Sequence, residues 1–304
     1  MKFAAVLNRD GGTLRTTDLD DFSARIHAAL EEAGHSVSIE IVSGSEIADA
    51  IDKAVAKRVD VVMVGGGDGT VSTAAAKLKG KKKALAILPA GTMNLFARSL
   101  QIPQTLDGAV KAFATGEIRA VDVATANGIP FVHQFSVGMH AKLVHLREQK
   151  NFASRLGKIR ASLHAAWETI HNPPALDVKL SIGEAEILTK ATSIGVTNNL
   201  FGEGHLPYTD QPDGGTLGVY ITIAQQKGEL VRLLTKMARG KWRDNDQIEI
   251  HEAQSVRLEV RSSKRYKRVI DGELSELEKV TDFKIHPGAL NVLVPQRVEA
   301  KKAA

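Results

Sequence analysis

Cysteine is absent from the 304-residue chain, which rules out disulfides, thiolate nucleophiles and cysteine-based zinc sites. That fits a reducing, cytoplasmic setting. Aromatic residues are scarce, 5% of the whole, and do not interleave with the basic runs, so no stacking platform for nucleic acid is expected. Long apolar runs are missing too: none approaches the ~20 residues of a membrane span. The opening Met1-Lys2-Phe3-Ala4-Ala5-Val6-Leu7 reads as a short strand rather than a signal peptide. No repeat of fixed period is present, which argues against a solenoid. The ten histidines form no His-x-x-x-His pair within a helical acidic motif, so no catalytic metal is assigned to them. A cytoplasmic protein that meets a membrane only peripherally is expected.

What is present is ordinary in amount and uneven in placement. The chain is 43% apolar and 25% charged, with a formal net charge of +5, and is long enough for two cores. Basic residues gather at Lys77 to Lys83, Arg232 to Arg243 and Arg261 to Arg268. Such runs are commonly solvated faces, but together they favour an anionic partner, a nucleotide or an acidic lipid surface.

Up to residue 120, short apolar strands at 2–8, 36–42, 60–64 and 84–88 alternate with helical stretches at 18–34, 46–58, 70–78, 92–99 and 105–115. The alternation predicts a parallel α/β sheet with helices on both faces. After Asp122-Val123 strand-like runs dominate, at 131–138, 175–182, 186–197, 217–224, 247–250, 255–261, 266–270 and 281–285. Helices are expected among them at 141–149, 153–171 and 228–240. The prediction is an α/β domain over 1–124 and a mostly antiparallel, β-rich domain over 125–286, divided by the turn chemistry of 124–130. The last run, 289–294, is a strand that either domain can claim, so segment 287–304 is a candidate to join the first.

The most telling stretch is Val61-Val62-Met63-Val64, which runs into Gly65-Gly66-Gly67-Asp68-Gly69-Thr70 and then a helix-prone segment. Without Cβ atoms the backbone can approach a ligand closely, and the N–H groups at the helix start point outward, a natural anion site. Asp68 would repel a bare phosphate, which argues for a cation between them and hence a nucleotide–metal site. Val71 and Ser72 stand where a Walker loop needs Lys-Ser/Thr, and a dinucleotide fingerprint would need glycine at 72. A plain strand-to-helix turn is the alternative. A second bend, Leu88-Pro89-Ala90-Gly91-Thr92-Met93-Asn94-Leu95-Phe96-Ala97-Arg98, follows the fourth strand, with Thr92 placed to cap the next helix.

Gly-Gly-Asp-Gly-Thr followed by Pro-x-Gly-Thr-x-Asn-x-x-Ala-Arg resembles the diacylglycerol kinase catalytic family, which includes bacterial lipid kinases and the sphingosine and ceramide kinases. The resemblance covers nearly the whole chain. It implies a phosphofructokinase- and NAD kinase-like nucleotide domain, a β-rich acceptor domain, and phosphorylation of a lipid hydroxyl with ATP and Mg2+. On the matching positions, Gly65, Gly66, Gly67, Asp68, Gly69 and Thr70 resemble the nucleotide loop, with Asp68 meeting magnesium through water. Gly91, Thr92 and Asn94 resemble the second phosphate- and nucleoside-facing turn, and Asn8 and Ser43 fall beside the nucleotide. Asp122 matches an acidic residue of the metal's water network. Asp271-Gly272-Glu273 resembles the family's Asp-Gly-Glu, whose aspartate is the base. Asp210, Asp213 and Gly215 match a segment that holds a structural magnesium in bacterial members. Two segments depart from the pattern: Asn8-Arg9-Asp10-Gly11-Gly12 replaces Asn-Pro-x-Ser-Gly, and Gly138-Met139-His140-Ala141 replaces Gly-Phe-Asp-Ala.

A lipid alcohol is a poor nucleophile at neutral pH, and a carboxylate within reach as base contributes ~10²–10⁴-fold. Asp271 is the expected base, with Glu273 orienting it or sharing metal contacts. The same residues, Arg268 to Leu274, alternate around Asp-Gly, which is also a strong hairpin signal. Arg155 and Lys158 read as a solvated helix face. The segment from Leu230 to Arg243 is basic and amphipathic and ends near Trp242, suited to docking on anionic lipid. The alternative is a helix that packs Leu233, Leu234 and Met237 on the β domain. A membrane lipid at an anionic surface is the expected partner, with a homodimer left open. Two other readings stand beside the lipid kinase: an NAD kinase-like enzyme, which shares the Gly-Gly-Asp-Gly-Thr loop, and a nucleotide- or lipid-binding protein without turnover.

Overall fold

The computed structural model describes residues 1–148, 167–224, 226–238, 245–262 and 264–296. The chain divides into two units: Met1–Val121 with the segment from Gly288 onward, and Asp122–Pro287.

In the first unit, β1 (Lys2–Asn8), β2 (Ser36–Val42), β3 (Val61–Gly66) and β4 (Ala84–Pro89) form a parallel sheet in the order β2-β1-β3-β4. β3 and β4 are buried at every residue, which is why their sequence is apolar without alternation. α1 (Leu19–Glu32) packs with α5 (Leu106–Ala114), and α2 (Ile47–Ala56) with α3 (Asp68–Leu78). Right-handed crossovers that run outward from β1 to β2 and back from β2 to β3 put these two pairs on opposite faces. Asp18 caps α1 by accepting the N–H groups of Asp20 and Asp21, and Thr105 caps α5 through Gly108. Strand order reverses between β1 and β3. Such a switch point opens a crevice beyond the carboxyl ends of the strands, where the glycine-bearing loops after β1 and β3 lie.

β5 (Glu117–Ala126) carries the chain across the boundary at Val121. In the second unit, β7 (Gln134–Gly138), β10 (Ser193–Asn198), β11 (Leu217–Thr222), β12 (Ile248–Ala253), β14 (Lys267–Ile270) and β15 (Glu273–Glu276) form an antiparallel sheet, order β12-β11-β10-β7-β14-β15. β8 (Leu176–Ile182), β9 (Ala185–Ala191), β13 (Ser255–Val260) and the start of β16 (Val280–Val294) form a second antiparallel layer. Alternate residues of both layers meet in one core, with the Phe135 and Phe283 rings edge to face at 4.7 Å. β6 (Ile129–Phe131) pairs with the end of β5, and two helices, α6 (Met139–Glu148) and α7 (Lys227–Ala238), complete the unit.

Several expectations are corrected. α3 begins at Asp68 with Gly67 as its N-cap, not at residue 70, so the carboxylate lies in the first helical turn. α4 (Leu95–Ser99) is short and follows Asn94, whose φ is 50. Thr92 is exposed within the preceding bend and caps nothing. The run 186–197 is two strands broken at Thr192. Residues 281–285 and 289–294 belong to one strand, β16, whose end pairs Asn291 and Val292 in parallel with Ala84 and Leu85; the last run therefore returns to the first unit. β5 was not anticipated; Ile118 and Ala120 alternate with Glu117 and Arg119 but stay exposed, and only its second half is buried. Of the helix expected at 153–171, only 167–171 is described and is helical. Arg155, Lys158, Arg239, Lys241, Trp242 and Arg243 lie outside the described residues.

Candidate active site

In the first unit, three glycine bends pack backbone on backbone. Gly12 has φ +38, and a Cβ there would stand 1.8 Å from the Ala90 carbonyl oxygen, which accepts the Thr13 N–H at 2.8 Å. A Cβ on Gly91 would lie 2.8 Å from the Gly67 Cα, and one on Gly66 would lie 2.4 Å from Thr70 Oγ1. Side chains do not fit at these positions, and the loops after β1, β3 and β4 meet only because they have none. Asn8, at the end of β1, reaches Thr70 Oγ1 through Nδ2 at 3.4 Å and accepts the Asp10 N–H through Oδ1 at 3.0 Å.

Asp68 joins two of the bends. Its Oδ2 accepts the Asn94 N–H at 3.0 Å and its Oδ1 the Leu95 N–H at 2.8 Å. The carboxylate opens α3 and also satisfies the N-terminal N–H groups of α4, a favourable place for negative charge. Asn94, buried and left-handed, closes its own bend: Oδ1 accepts the Gly91 N–H at 2.8 Å and Nδ2 donates to the Gly91 carbonyl at 3.0 Å. Asparagine is one of the few residues that visits this conformation cheaply. Each Asp68 oxygen accepts one N–H in these bonds and has acceptor capacity beyond it. Side-chain-free bends, a helix N-terminus and this carboxylate fit a triphosphate with magnesium.

Ser43 has a different engagement from the one expected. Its hydroxyl donates to Glu46 Oε2 at 2.5 Å and its backbone N–H to the same oxygen at 3.0 Å. The hydroxyl bond, then the backbone one, holds the Glu46 carboxyl below its usual range. Both bonds close the turn that leads into α2, whose N-cap is Glu46. Asp10 was missed by the sequence reading; its Oδ2 accepts the Gly44 N–H at 2.8 Å and ties the loop after β1 to that after β2. Its only signal in the sequence is its place directly before Gly11-Gly12.

In the second unit, Asp271 and Gly272, φ 45 and 94, form the two-residue turn between β14 and β15, with Ile270 opposite Glu273. The hairpin and the Asp-Gly-Glu match thus fall on the same residues. Asp271 is buried, and its carboxylate accepts three backbone N–H groups: Val132 at 2.9 Å on Oδ2, His133 and Gln134 at 3.0 Å on Oδ1. Glu273 is exposed at the start of β15. Asp122 is buried and accepts the Gly215 N–H at 2.7 Å, while its carbonyl accepts Asn198 Nδ2 at 2.9 Å. The structure therefore brings Asp122 to the loop of Asp213 and Gly215. Asp210 is exposed and paired with His205 Nε2 at 3.0 Å. No group of three or more His, Cys, Asp or Glu side chains suited to a metal occurs among the described residues.

Beside Asp271 lies a cavity of about 330 Å3. Gln134, whose N–H binds Asp271, lines it along with Met139, Leu143, Ile170, Phe201, Leu233 and Ile248. Gly138, at φ +89 and with its Cβ position blocked by the Thr192 carbonyl at 2.2 Å, turns β7 into α6. That elbow sets His140 Nδ1 2.6 Å from Ser136 Oγ, and both residues line the cavity. Burial pushes His140 below the ordinary histidine range. Burial, then the nearby His140, lowers His133 to about 3; its ring stacks on Phe201 at 5.1 Å. The sequence reading named His140 only as a departure and passed over His133 and Ser136.

Comparison with known proteins agrees with this arrangement. Residues 2–126 match the diacylglycerol kinase catalytic domain, and residues 134–294 match the YegS C-terminal NAD kinase beta sandwich-like domain. A diacylglycerol kinase of Staphylococcus aureus is 25% identical over 240 residues, covering 75% of this chain and 74% of that protein. A Synechocystis protein is 29% identical over 241 residues, 77% of this chain; the match spans only 54% of that longer relative. A solved diacylglycerol kinase from Bacillus anthracis superposes with a TM-score of 0.73 at 20% identity, over 97% of both chains, which speaks for the fold. A second solved Bacillus anthracis structure gives 0.75 at 25% identity, again over 97% of both. The two adjoining domain matches, the α/β sheet with its glycine bends and the antiparallel sandwich place the chain in the diacylglycerol kinase family, enzymes that phosphorylate lipid alcohols.

Proposed function

We propose that the protein is an ATP-dependent lipid kinase whose first unit holds the nucleotide and whose second unit holds the lipid alcohol. The observation that carries the acceptor side is the apolar cavity beside Asp271, with Met139, Leu143, Ile170, Phe201, Leu233 and Ile248 in its wall. Such a lining suits a hydrocarbon chain, and a dinucleotide, with its sugars and phosphates, would leave its polar groups unpaired there. That counts against the NAD kinase-like reading despite the shared β-sandwich.

Bound ATP with Mg2+ supplies the phosphoryl group and offsets the charge on its oxygens. Asp68 keeps the two bends together; Gly66, Gly67, Gly69 and Gly91 would hold the phosphates with their backbone, and Asp68 would contribute to holding the metal. Asp271 takes the proton of the acceptor hydroxyl, its carboxylate oriented by three N–H donors. Asp122 steadies the loop at 212–215 through the Gly215 N–H; Asp210, Asp213 and Gly215 are the residues that would hold a structural magnesium.

The lipid is met at an anionic membrane surface. No helix among the described residues is long and apolar enough to cross a membrane. On α7, Leu230 and Leu233 are buried while Val231 and Arg232 are exposed, so the helix packs one side inward and shows a basic, partly apolar side outward.

Incubation with labelled ATP, Mg2+, a panel of lipids in mixed micelles and, separately, NAD tests the reading. Label is expected in a lipid and absent with Asp271→Asn. Label in NAD, or in no acceptor despite ATP binding, would overturn it.

A further inference from the structure

Several glycines of this fold leave no room for a side chain: at Gly12, Gly66, Gly91 and Gly138 an added Cβ would overlap a neighbour. Gly195 is different. It lies within β10, an interior strand of the six-stranded sheet, and its φ is not positive. A Cβ there would meet only the Tyr220 Cβ at 3.9 Å and the Phe135 carbonyl oxygen at 4.0 Å, both ordinary contacts. Neither backbone conformation nor packing therefore calls for glycine, a residue that weakens a strand interior and often marks the close approach of a ligand. Its neighbours Ile194 and Val196 belong to the core, while Gly195 lines the cavity on the opposite face.

The register puts Ser136 on one side of Gly195 and Tyr220 on the other, with Ser193 and Thr197 two residues away along β10. All four line the cavity, so the missing side chain leaves a pit in its floor. Their polar atoms are engaged. Ser136 Oγ bonds His140 Nδ1 at 2.6 Å, and Ser193 Oγ donates to the Val137 carbonyl at 3.0 Å. Thr197 Oγ1 donates to the Asn199 carbonyl at 2.6 Å, and the Tyr220 hydroxyl accepts the Phe201 N–H at 2.8 Å. A pit ringed by satisfied groups suits hydrocarbon. At about 330 Å3 the cavity is at the small end of ligand pockets, roughly 300–1,000 Å3, so the volume of one side chain bears on what fits.

We infer that Gly195 is a specificity-determining residue of the acceptor cavity: by carrying no side chain it leaves the space that the acceptor's hydrocarbon chain takes, and so sets the length of chain the cavity admits. The inference rests on the kinase reading and specifies the chain of its substrate rather than the head. A short chain fits without the pit. A long chain needs it, and each carbon added at residue 195 displaces about as much ligand from a close-packed interior.

The test uses the full chain in uncharged detergent micelles. Monoacylglycerols of six to fourteen carbons are compared by calorimetric binding and by kcat/KM for wild type, Gly195→Ala and Gly195→Val. Both variants are expected to bind ATP as wild type does, and Gly195→Ala to melt about 1–3 °C higher. The wild-type-to-variant ratio of lipid affinities, in which the micelle's own preference cancels, should stay near one for the shortest chain. For the longest it should reach about tenfold or more with Gly195→Val, and less with Gly195→Ala. A ratio of one at every length, a loss that does not depend on length, or a Gly195→Ala variant that melts well below wild type would overturn the inference. Length-dependent loss of binding with no phosphate transfer to any of these lipids would support the role of Gly195 and sink the kinase reading alone. Transfer with an unshifted length profile would do the reverse.

Discussion

Asp68 and Asp271, one in each unit, stand in surroundings of opposite material. Each is an aspartate beside glycine whose carboxylate is gripped by backbone N–H groups, two for Asp68 and three for Asp271. Around Asp68 the working surface is backbone itself, laid bare by glycines that touch across Gly12–Ala90 and Gly67–Gly91. Around Asp271 it is side chains, with His133, Ser136 and His140 set among apolar neighbours in a β-sandwich. A bare backbone can cradle any phosphate and carries little information about what else is bound. A cavity of specific side chains can choose its occupant. On the function proposed above, the first unit would take the common donor and the second the particular acceptor.

Asp271→Asn strikes the comparison hardest. If Asp271 is the base, kcat should fall ~10²–10⁴-fold, and the amide, unable to accept all three N–H groups, should also cost about 1–3 kcal/mol of stability. A folded variant with undiminished turnover would remove the base from this residue. Gly12→Ala comes next: overlap with the Ala90 carbonyl and a positive φ should cost about 3 kcal/mol, read as a lower melting temperature and as loss of ATP binding. If that variant melts like the wild type, the bends are not packed as described.

Asp68→Asn is a milder test of the same bends. The amide turns N–H groups toward one of two backbone donors, which should cost about 1–3 kcal/mol and weaken ATP binding while lipid binding persists. Parallel loss of both ligands would erase the distinction between the units. Acid should reveal the side-chain character of the second unit. An unfolded chain takes up a proton on His133 below pH 6.5, whereas the folded chain resists it down to about 3. Stability is therefore full above 6.5 and falls through that window, at up to ~1.4 kcal/mol per pH unit. His140 is shifted in the same direction. Urea midpoints for wild type and His133→Phe should diverge as pH drops; a constant difference would rule this out. The smallest effect is expected for Arg232→Glu with Lys236→Glu, a modest loss of binding to anionic vesicles that uncharged vesicles do not show.

Much of the first unit was legible because its signals are local. Buried parallel strands are unbroken apolar runs, and a glycine bend with its carboxylate is contiguous in sequence from Gly65 to Thr70. Even there, the chain did not announce that Thr92 would stay in solvent, that Ser43 would bind Glu46, or that Asp10 would hold Gly44. Those outcomes depend on which loops come together. The second unit was legible only as class. Its strands alternate, so their existence and antiparallel character were readable, but the continuity of β16 and the break at Thr192 were not, because pairing partners fix strand limits.

By itself the sequence determined the α/β and β-rich halves, the two glycine bends, the Asp-Gly hairpin and the absence of any thiol or membrane-spanning helix in the chemistry on offer. These follow from composition, period and residues a few positions apart. Only the tertiary structure decided that Asp68 spans two bends, that Asp122 grips Gly215, and that Ser136 and His140 meet at the wall of a cavity. Such pairings join segments from distant strands or turn on a single backbone elbow, and their energies come from burial and geometry that no linear spacing encodes.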